Sequence, residues 1–368
     1  MASSEVETDS SAPGAWRPPG DRWDGFSALC ASLPVGSLVL ADRRVLELHP
    51  EVLRAVKRQK PLALLSLTAG ERLKSTSVLT RVLVAGAALP RTGTILVIGG
   101  GTVGDLGTVA AHVLKRGVRL VQAPTTLLSA VDSSLGGKGA VNVGSGRATV
   151  KNAAGVFHYP HESWLCPELW NTLSAAQRRE GLAEAWKMAV TLDAGVWERW
   201  AGSAELPETA ELVKVARGLK TRVCEEDPYE RVGLRQVLNF GHTVGHVLES
   251  LSGYLVRHGE AVALGMICAL DVGRVRGITP PALADALEER FSVITSASGT
   301  PARVRLAKTL SRGTVKEAIA LVAADKKVET AGAIRMILLE AVGRTRTESV
   351  ALKELEPLLR QWRGGHRP

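Results

Sequence analysis

The 368-residue sequence predicts an α/β domain with a mostly parallel sheet, followed by a mainly α-helical domain. Up to about residue 173, short apolar runs typical of strands alternate with segments of helical periodicity, which is the pattern of a parallel sheet with helices packed on it. Beyond residue 173, strand signals become sparse and helical periodicity dominates. We therefore expect a loose tail over residues 1–24, an α/β domain over 25–173 and a helical domain over 174–368.

The first part of the chain is built from alternating strand and helix patterns. Residues 1–24 are rich in Ser, Pro, Gly and acidic residues, which is typical of a segment without a packed core. Strands are predicted over residues 37–42, 62–67, 94–101 and 118–124, and helices over residues 49–60, 73–88 and 104–117. Parallel strands need such crossover helices, so this order favours a doubly covered sheet.

The second part of the chain has mainly helical patterns. Helices are predicted over residues 173–192, 208–223, 234–251 and 260–275. Residues 334–343 form a later apolar run with strand character, and we expect a lone strand there.

Composition narrows the range of partners. Lys and Arg total 46 against 37 Asp and Glu, a formal charge of +9, which suits a nucleic acid, a membrane surface or an acidic small molecule. Aromatic residues make up only 4%, which disfavours a platform that stacks bases. The four cysteines form no CxxC pair, the N-terminus lacks a secretory pattern, and the apolar run 261–270 is too short to span a membrane. We expect a cytoplasmic protein.

The segment GGGTVGD, residues 99–105, is the first candidate for ligand binding. It has the spacing GxGxxG between a predicted strand and a predicted helix, where backbone N–H groups can approach a pyrophosphate. The alternative is a tight turn without a ligand. No acidic residue follows about 20 residues later to bind a ribose. Asp42, at a strand end, is a candidate for that role, and Glu71 and Lys74 of GERLK could reach the same ligand.

The segment after the next strand, residues 124–142, is the second candidate. It combines hydroxyl side chains and glycines with Lys138, and Lys151 and Asn152 follow it. Ammonium groups beside glycines and amides suit a phosphate, whereas the alternative is a surface loop with solvated lysines. Asp132 lies within an otherwise apolar and hydroxylic stretch, which favours the functional interpretation.

Histidines are concentrated in the predicted helical domain. His242 and His246 are four residues apart, on one helix face, and His258 begins another apolar helix. Imidazoles and a carboxylate are good zinc ligands, and by spacing alone the pair would be His242 and His246. Glu184 is an attractive carboxylate partner and shares a helix face with Lys187. The alternative is a helix that carries structural histidines.

Taken in order, these segments resemble the 3-dehydroquinate synthase family of the sugar-phosphate cyclase superfamily. The resemblance runs from about residue 42 to residue 342 and rests on nine collinear motifs: GERLK, GGGTVGD, KRGVRLVQAPTTLL, VDSSLGGK, KNAAGVF, GLAEAWK, LRQVLNFGHTVGH, HGEAVALGM and DKKV. It implies an N-terminal Rossmann-like nucleotide-binding domain and a C-terminal mainly α-helical metal-binding domain. It also implies NAD and Zn²⁺ (or Co²⁺) as cofactors, and a homodimer that binds neither nucleic acid nor membrane.

Matched residue by residue, the resemblance assigns the metal to Glu184, His242 and His258, and makes His246 a substrate contact. The residues that would bind NAD are Asp42, Glu71, Lys74, Gly100, Gly101, Thr102, Val103, Gly104, Asp105, Thr125, Thr126, Lys138, Lys151 and Thr172. The catalytic residues would be Asp132, Lys138, Lys187, Asn239, His246 and Glu260. Further substrate contacts would come from Arg116, Asn152, Lys220, Arg235, Lys326 and Lys327. Lys220 and Arg235 would take a carboxylate, Lys326 or Lys327 a phosphate, and Arg116 would reach the phosphate site of the partner subunit.

The implied reaction converts 3-deoxy-D-arabino-heptulosonate 7-phosphate to 3-dehydroquinate and phosphate, a step of the shikimate pathway to aromatic amino acids. It comprises transient oxidation by NAD, elimination of phosphate, return of the hydride and an intramolecular aldol closure. The resemblance implies that many of the positively charged residues bind a small, highly anionic sugar acid.

Three departures from the family and three alternatives remain. The N-terminal strands before residue 37 are shortened or replaced by the tail. The segment VNVGSGRATVKN is longer than in the family, so Arg147 competes with Lys151 in the match, and the spacing of KNAAGVF favours Lys151. The stretch between Lys220 and Arg235 is also longer.

Sister cyclases act on sedoheptulose 7-phosphate or an amino analogue, but tend to alter the NFGHTVGH and GGK segments that are kept here. Iron-dependent polyol dehydrogenases would release NADH, and a basic scaffold would bind DNA in a salt-sensitive way.

Overall fold

The computed structural model describes residues 18–144, 149–203, 205–295, 300–324, 328–330 and 332–368. The chain divides into two compact units. The first unit comprises Met1–Ser174 and Lys220–Tyr229, and the second comprises Ala175–Leu219 and Glu230–Pro368.

The first unit is built on a six-stranded parallel sheet, which confirms the predicted α/β class. In chain order its strands are β1 (Gly20–Arg22), β2 (Leu38–Asp42), β3 (Ala63–Leu67), β4 (Thr94–Gly99), β5 (Arg119–Pro124) and β8 (Glu162–Trp164). They lie in the spatial order β1-β8-β5-β4-β2-β3, and every pairing is parallel. An antiparallel hairpin, β6 (Lys138–Val143) and β7 (Val150–Phe157), forms separately.

The helices of the first unit follow its strands. They are α1 (Gly25–Ser32), α2 (Arg43–Leu48), α3 (Pro50–Arg58), α4 (Thr76–Ala85) and α5 (Gly101–Val113). All six residues of β4, TILVIG, are buried, as expected for an interior strand covered on both faces. Val97 of this strand packs in one apolar cluster with Leu40 of β2 and Leu106 of α5, so the core lies between the sheet and these helices.

Two expectations for the first unit differ from the structure. Strand β1 lies within the segment that we expected to be a loose tail, because its backbone pairs with β8 although its side chains are exposed. The expected loop over residues 124–142 contains a π-helical turn, Ser129–Ser133, and strand β6. Strands β1 and β6 depend on backbone pairing with neighbouring strands, for which the side chains carry little signal.

The second unit is mainly helical. Its helices are α6 (Ala175–Leu192), α7 (Ala194–Gly202), α8 (Thr209–Glu226), α9 (His242–Leu251), α10 (His258–Val275), α11 (Pro281–Thr295), α12 (Ala302–Leu310), α13 (Val315–Ala323) and α14 (Leu352–Arg363). From Lys220 onward, α8 belongs to the first unit. Helix α10 is buried over most of its length, because its sequence is apolar on all sides, and α6, α9 and α11 pack against it.

Two segments of the second unit also differ from expectation. The helix expected over residues 234–251 is interrupted: a 3₁₀ helix, Leu234–Asn239, is followed by Gly241 with a φ of +80°, and α9 begins at His242. The expected lone strand is the middle of an antiparallel sheet of β9 (Val328–Thr330), β10 (Ala333–Ala341) and β11 (Arg344–Ala351), in the order β11-β10-β9. Strand β11, RTRTESVA, is polar and gave no apolar signal.

No helix among the described residues is long and apolar enough to cross a membrane.

Candidate active site

The residues expected to bind NAD gather at one edge of the sheet in the first unit. Because all six strands are parallel, their carboxyl ends lie on the same edge, where doubly wound sheets bind ligands. Most of the expected residues lie at or just after the ends of β2, β3, β4 and β5, namely Asp42, Glu71, Lys74, Gly100–Asp105, Thr125 and Thr126. The hydroxyl of Thr172 lies 3.1 Å from Nε2 of His49, which directly follows α2.

The turn between β4 and α5 brings backbone N–H groups to this edge. Gly100 is the N-cap residue of α5 and provides no side-chain cap, so the first N–H groups of the helix are available to an anion. A Cβ at Gly100 would lie 3.0 Å from Cγ2 of Thr126, so a side chain here would press on the neighbouring loop. The N–H of Gly70 donates to Oγ1 of Thr102 over 3.1 Å, which joins the GERLK loop to the turn.

A polar network links the GERLK loop, α5 and the hairpin. Lys74 is buried, and its Nζ lies 2.6 Å from Oδ2 of Asp105 and 2.6 Å from Oδ1 of Asn152. Burial raises the pKa of Asp105, and the Lys74 ammonium opposes that shift. Asn142 donates to Oε1 of Glu71 over 2.9 Å and accepts from the backbone N–H of Asn152 over 2.9 Å. The network holds the hairpin beside the GERLK loop and the start of α5.

Asn142 was not among the predicted site residues. Its signal in the sequence is slight, because an asparagine within a run such as AVNVG suggests only a turn or a strand edge. In the structure Asn142 makes two hydrogen bonds that need an amide, because the amide nitrogen donates one and the amide oxygen accepts the other. Asn152, whose backbone it binds, has a φ of +49°, a conformation that asparagine adopts more readily than most residues.

Other residues expected to bind NAD take part in local contacts. Asp42 accepts from the N–H of Arg44 over 3.0 Å as the N-cap of α2, and burial raises its pKa. Nζ of Lys151 lies 3.6 Å from Oε1 of Glu71. Lys151 therefore faces the same loop as the other expected residues. Arg147, its competitor in the match, lies outside the described residues.

Several residues expected to contact the substrate or act in catalysis also belong to the first unit, among them Asp132, Lys138 and Lys220. Lys220 donates to the backbone oxygen of Asp132 over 2.6 Å and to its Oδ1 over 2.7 Å. Nζ of Lys138 lies 6.0 Å from the centre of the Phe157 ring, within range of a cation–π contact. Lys138 and Lys220 therefore present two cations near β6 and the π-helical turn.

Arg116 is displayed on an unusual turn. It is exposed, and both Lys115 and Arg116 have left-handed backbone angles, with φ of +53° and +65°. Two consecutive non-glycine residues in this region store backbone strain, which is more common at functional sites than elsewhere. The turn projects the arginine away from the core of the first unit.

In the second unit three side chains meet that could hold a metal ion. Glu184 of α6, His242 of α9 and His258 of α10 each offer one ligand atom, and the three atoms lie within 4.8 Å of one another. Nε2 of His242 and Nε2 of His258 lie 3.6 and 3.5 Å from Oε1 of Glu184. Zinc bonds of about 2.1 Å in a tetrahedron separate ligand atoms by about 3.4 Å, so the three donors fit such an ion.

Glycines at the helix crossings bring these donors together. A Cβ at Gly259 would lie 2.4 Å from Cα of Glu180, so α6 and α10 are closer than any side chain allows. A Cβ at Gly265 would lie 2.0 Å from the backbone oxygen of Gly241, so α9 and α10 are equally close. Because Glu184 lies one turn after Glu180, the first crossing places its carboxylate beside His258.

The structure groups His258, and not His246, with His242. The two histidines of α9 have ring centres 5.4 Å apart, but His246 is exposed and does not belong to the cluster of three donors. Spacing along one helix therefore suggested a different pair from the one that lies beside Glu184, and the latter is the pair that the residue-by-residue match implies. His246 remains close to the cluster, 6.5 Å from His258 between ring centres.

Charged neighbours surround the three donors. Lys187, fully buried one turn beyond Glu184, donates to its Oε2. Burial lowers the pKa of His258, but the carboxylates of Glu184 and Glu249 outweigh it and raise that pKa above its ordinary value. Binding of a metal ion would therefore release a proton from this site.

The remaining expected residues of the second unit that the structure describes lie on α10 and on the 3₁₀ helix before α9. Asn239 ends the 3₁₀ helix before α9, and Arg235 of that helix is buried. Glu260 forms a two-point ion pair with Arg305 of α12, with Nη2 3.2 Å from Oε2. Arg305 was not predicted, since nothing in its local sequence marks it. Lys326 and Lys327 lie outside the described residues.

Comparison with known proteins identifies the family. Residues 64–180 match the family described as 3-dehydroquinate synthase N-terminal, and residues 181–328 match that described as 3-dehydroquinate synthase C-terminal. A 3-dehydroquinate synthase of Enterococcus faecalis is 34% identical over 304 residues, which cover 81% of this chain and 80% of the relative. A 2-epi-valiolone synthase of Actinosynnema mirum is 33% identical over 320 residues, which cover 84% of this chain and 81% of the relative.

A solved structure supports the fold. The 2-epi-5-epi-valiolone synthase of Streptomyces hygroscopicus subsp. jinggangensis 5008, with NAD⁺ and Zn²⁺ bound, has a TM-score of 0.79 at 23% identity over 98% of each chain. At this identity the likeness concerns the fold, and the sequence matches carry the family. The chain belongs to the 3-dehydroquinate synthase family.

Proposed function

We propose that this protein is a 3-dehydroquinate synthase, which converts 3-deoxy-D-arabino-heptulosonate 7-phosphate to 3-dehydroquinate and phosphate. The observation that carries the proposal is the cluster of Glu184, His242 and His258, whose spacing suits a tetrahedral divalent ion, in a chain of this family. The glycine-rich end of the parallel sheet, with its uncapped helix N-terminus, supports a second requirement, the dinucleotide.

Glu184, His242 and His258 would hold the metal ion, and the residues at the carboxyl edge of the sheet would hold NAD. When bound, NAD accepts and returns a hydride, and the metal ion polarises a substrate hydroxyl group. Lys187 would hold the Glu184 carboxylate in place from the side opposite the histidines, because it occupies Oε2 while both imidazoles face Oε1.

The substrate carries a carboxylate and a phosphate, and cations of the chain would bind both. Lys220 and Arg235 are the proposed carboxylate ligands, and both are buried, where a charge-assisted contact is stronger than at the surface. Lys138 and Asn152 would contact the substrate from the hairpin, and Asp132, which now binds Lys220, would lie beside them. Holding the flexible chain in one conformation is the main contribution of such groups to a ring closure.

The proposed catalytic residues of the second unit are Lys187, Asn239, His246 and Glu260. Glu260 is held by Arg305, so its carboxylate has a defined position. We further propose a homodimer, in which the exposed and strained turn at Arg116 would reach the phosphate site of the partner subunit. Lys326 or Lys327 would be the phosphate ligand within the same chain.

A second candidate is a sister cyclase that acts on sedoheptulose 7-phosphate, which the similarity to a 2-epi-valiolone synthase favours. The test is a paired substrate assay with NAD and Zn²⁺ present. We expect phosphate release from the heptulosonate phosphate. NADH should not accumulate, as followed by its nicotinamide absorbance at about 340 nm. Turnover of sedoheptulose 7-phosphate alone would move the protein to the sister class, and net NADH formation would indicate a dehydrogenase.

A matched pair of variants tests the metal cluster. Glu184→Ala should abolish phosphate release, because the cluster loses its only carboxylate ligand among the described residues. Glu180→Gln changes a carboxylate one turn earlier on the same helix, where it pairs with Arg257, and should leave activity near that of the wild type. Undiminished activity of Glu184→Ala would refute the metal assignment.

A further inference from the structure

The second ring nitrogen of each histidine in the cluster has an acceptor. Nδ1 of His242 lies 3.3 Å from the backbone oxygen of Phe240. Nδ1 of His258 lies 3.3 Å from Oε1 of Glu249. In both rings the acceptor is at Nδ1, while Nε2 faces Oε1 of Glu184. The two rings therefore share one orientation relative to the carboxylate.

An acceptor at Nδ1 decides which nitrogen can bind a metal ion. A neutral imidazole has one N–H and one lone pair, and the hydrogen bond keeps the proton on the nitrogen that donates. With the proton held at Nδ1, the lone pair of Nε2 points to the centre of the cluster. A carboxylate also raises the basicity of the ring, which a carbonyl does less strongly.

His258 needs such support more than the other two ligands. The side chain of Glu184 is 1% exposed and that of His242 is 13% exposed, so packing restrains both. The side chain of His258 is 31% exposed and belongs to the first residue of α10, so packing restrains its ring less than it restrains the other two side chains. Without a partner at Nδ1, rotation about its side-chain bonds would carry Nε2 away from Glu184.

The fold places Glu249 where it can act. It lies on α9 seven residues after His242, which is two helical turns, so both side chains point from the same face. The close crossing of α9 and α10 at Gly241 and Gly265 then brings this face to the start of α10. Helix α9 thus supplies one ligand directly and a support for another.

We propose that Glu249 is a positioning residue that holds His258 in the tautomer and orientation that bind the divalent metal ion. The inference rests on the metal site of the proposed function. It assigns Glu249 no contact with the substrate. The competing explanation is that the Glu249–His258 contact merely ties α9 to α10.

Metal affinity measured on the whole protein separates the two explanations. The probe is Zn²⁺ alone, titrated against a chromogenic chelator without NAD or substrate. Glu249→Ala should bind Zn²⁺ about 10–100-fold more weakly than the wild type, the range found when a partner of a metal-binding histidine is removed. Glu249→Gln should recover part of that affinity, because its amide oxygen still accepts from Nδ1.

Two controls accompany the titration. Glu348→Ala removes a carboxylate of similar exposure, 20% against 17%, that pairs with Arg276 and contacts no histidine, and its Zn²⁺ affinity should equal that of the wild type. Urea unfolding of the metal-free proteins measures the contribution to the fold. A loss of stability in Glu249→Ala with unchanged Zn²⁺ affinity would establish the structural explanation and overturn the proposal.

The outcomes for the proposed function and for the inference are distinct. If the wild type binds Zn²⁺ and releases phosphate while both Glu249 variants bind Zn²⁺ with its affinity, only the inference is wrong. If the wild type does not bind Zn²⁺, the metal site and the role of Glu249 are both wrong. If Glu249→Ala fails to fold, Glu249→Gln decides: weaker Zn²⁺ binding with normal urea unfolding supports the proposal, and unchanged binding overturns it.

Discussion

Substitution of Gly259 by alanine tests whether the close approach of α6 and α10 holds the metal cluster together. The added Cβ would lie 2.4 Å from Cα and 2.6 Å from the backbone oxygen of Glu180. Both neighbours are backbone atoms of α6, so no side chain can rotate to make room. Since ordinary contacts begin at 3.4 Å, the first turn of α10 has to move away from α6 by about 1 Å.

The displacement has two measurable consequences. Overpacking of this kind costs about 1–3 kcal/mol of unfolding free energy, and the better helix propensity of alanine offsets up to about 1 kcal/mol of it. Metal bonds tolerate deviations of only about 0.2 Å, so a shift of about 1 Å prevents Glu184 and His258 from binding one ion together. A misplacement of about 1 Å can lower the turnover rate about 100-fold.

Urea unfolding, Zn²⁺ titration and phosphate release measure these effects. The matched control is Gly218→Ala on α8, where an added Cβ meets no atom within 4 Å. This control should gain up to about 1 kcal/mol of stability and keep its activity. If Gly259→Ala unfolds and binds Zn²⁺ like Gly218→Ala, the glycine contact does not set the spacing of the cluster, and the reasoning is refuted.

Three further changes test other parts of the molecule. Asn142→Ala should weaken NAD binding in a fluorescence titration, because the hairpin loses two hydrogen bonds; unchanged NAD affinity would contradict this. Burial lowers the pKa of His158 to about 4 from 6.5, so the unfolded chain takes up a proton between these values. The neutral ring of His158 therefore contributes about 3 kcal/mol to the free energy of unfolding, which is fully present above pH 6.5 and is lost as the pH falls to 4. His158→Gln should show a flatter dependence of thermal stability on pH. Arg303→Met should cost about 3–5 kcal/mol in urea unfolding, because it leaves Asp271 and Glu288 without the arginine that binds both; a loss below about 1 kcal/mol would be inconsistent with that network.

Apolar periodicity predicted strands β2–β5 and helices such as α6 and α10, whereas α1, α2, α7 and α11–α14 were not predicted. Strands such as β4 and helices such as α10 have patterns whose only favourable place is a covered sheet or a buried helix. The sequence-based prediction missed strands that are held mainly by backbone pairing. Strand β1 pairs with β8 through exposed residues, and β11 pairs with β10 through a polar sequence. Backbone hydrogen bonds do not depend on side-chain type, so the sequence carries little record of them.

The candidate site shows the same division. It was predictable that the residues expected to bind NAD would lie at one edge of the sheet, because parallel strands with crossover helices place their carboxyl ends together. Asn142, Glu249 and Arg305 were not predictable, because each acts through a partner on another element: Glu71, His258 and Glu260. A polar residue whose partner is distant along the chain looks like any other polar residue in the sequence.

The histidines give the clearest contrast. From residue types and motif order alone, we expected an α/β protein, with a glycine-rich turn as a candidate phosphate site and a histidine cluster in a helical region as a candidate metal site. Local spacing pointed to His242 and His246, because residues four apart share a helix face. The pair that meets Glu184 is His242 and His258, because the crossings at Gly259 and Gly265 bring three helices closer than any side chain allows. Helical periodicity describes neighbours within one element, whereas a metal site depends on distances between elements, and those follow from packing.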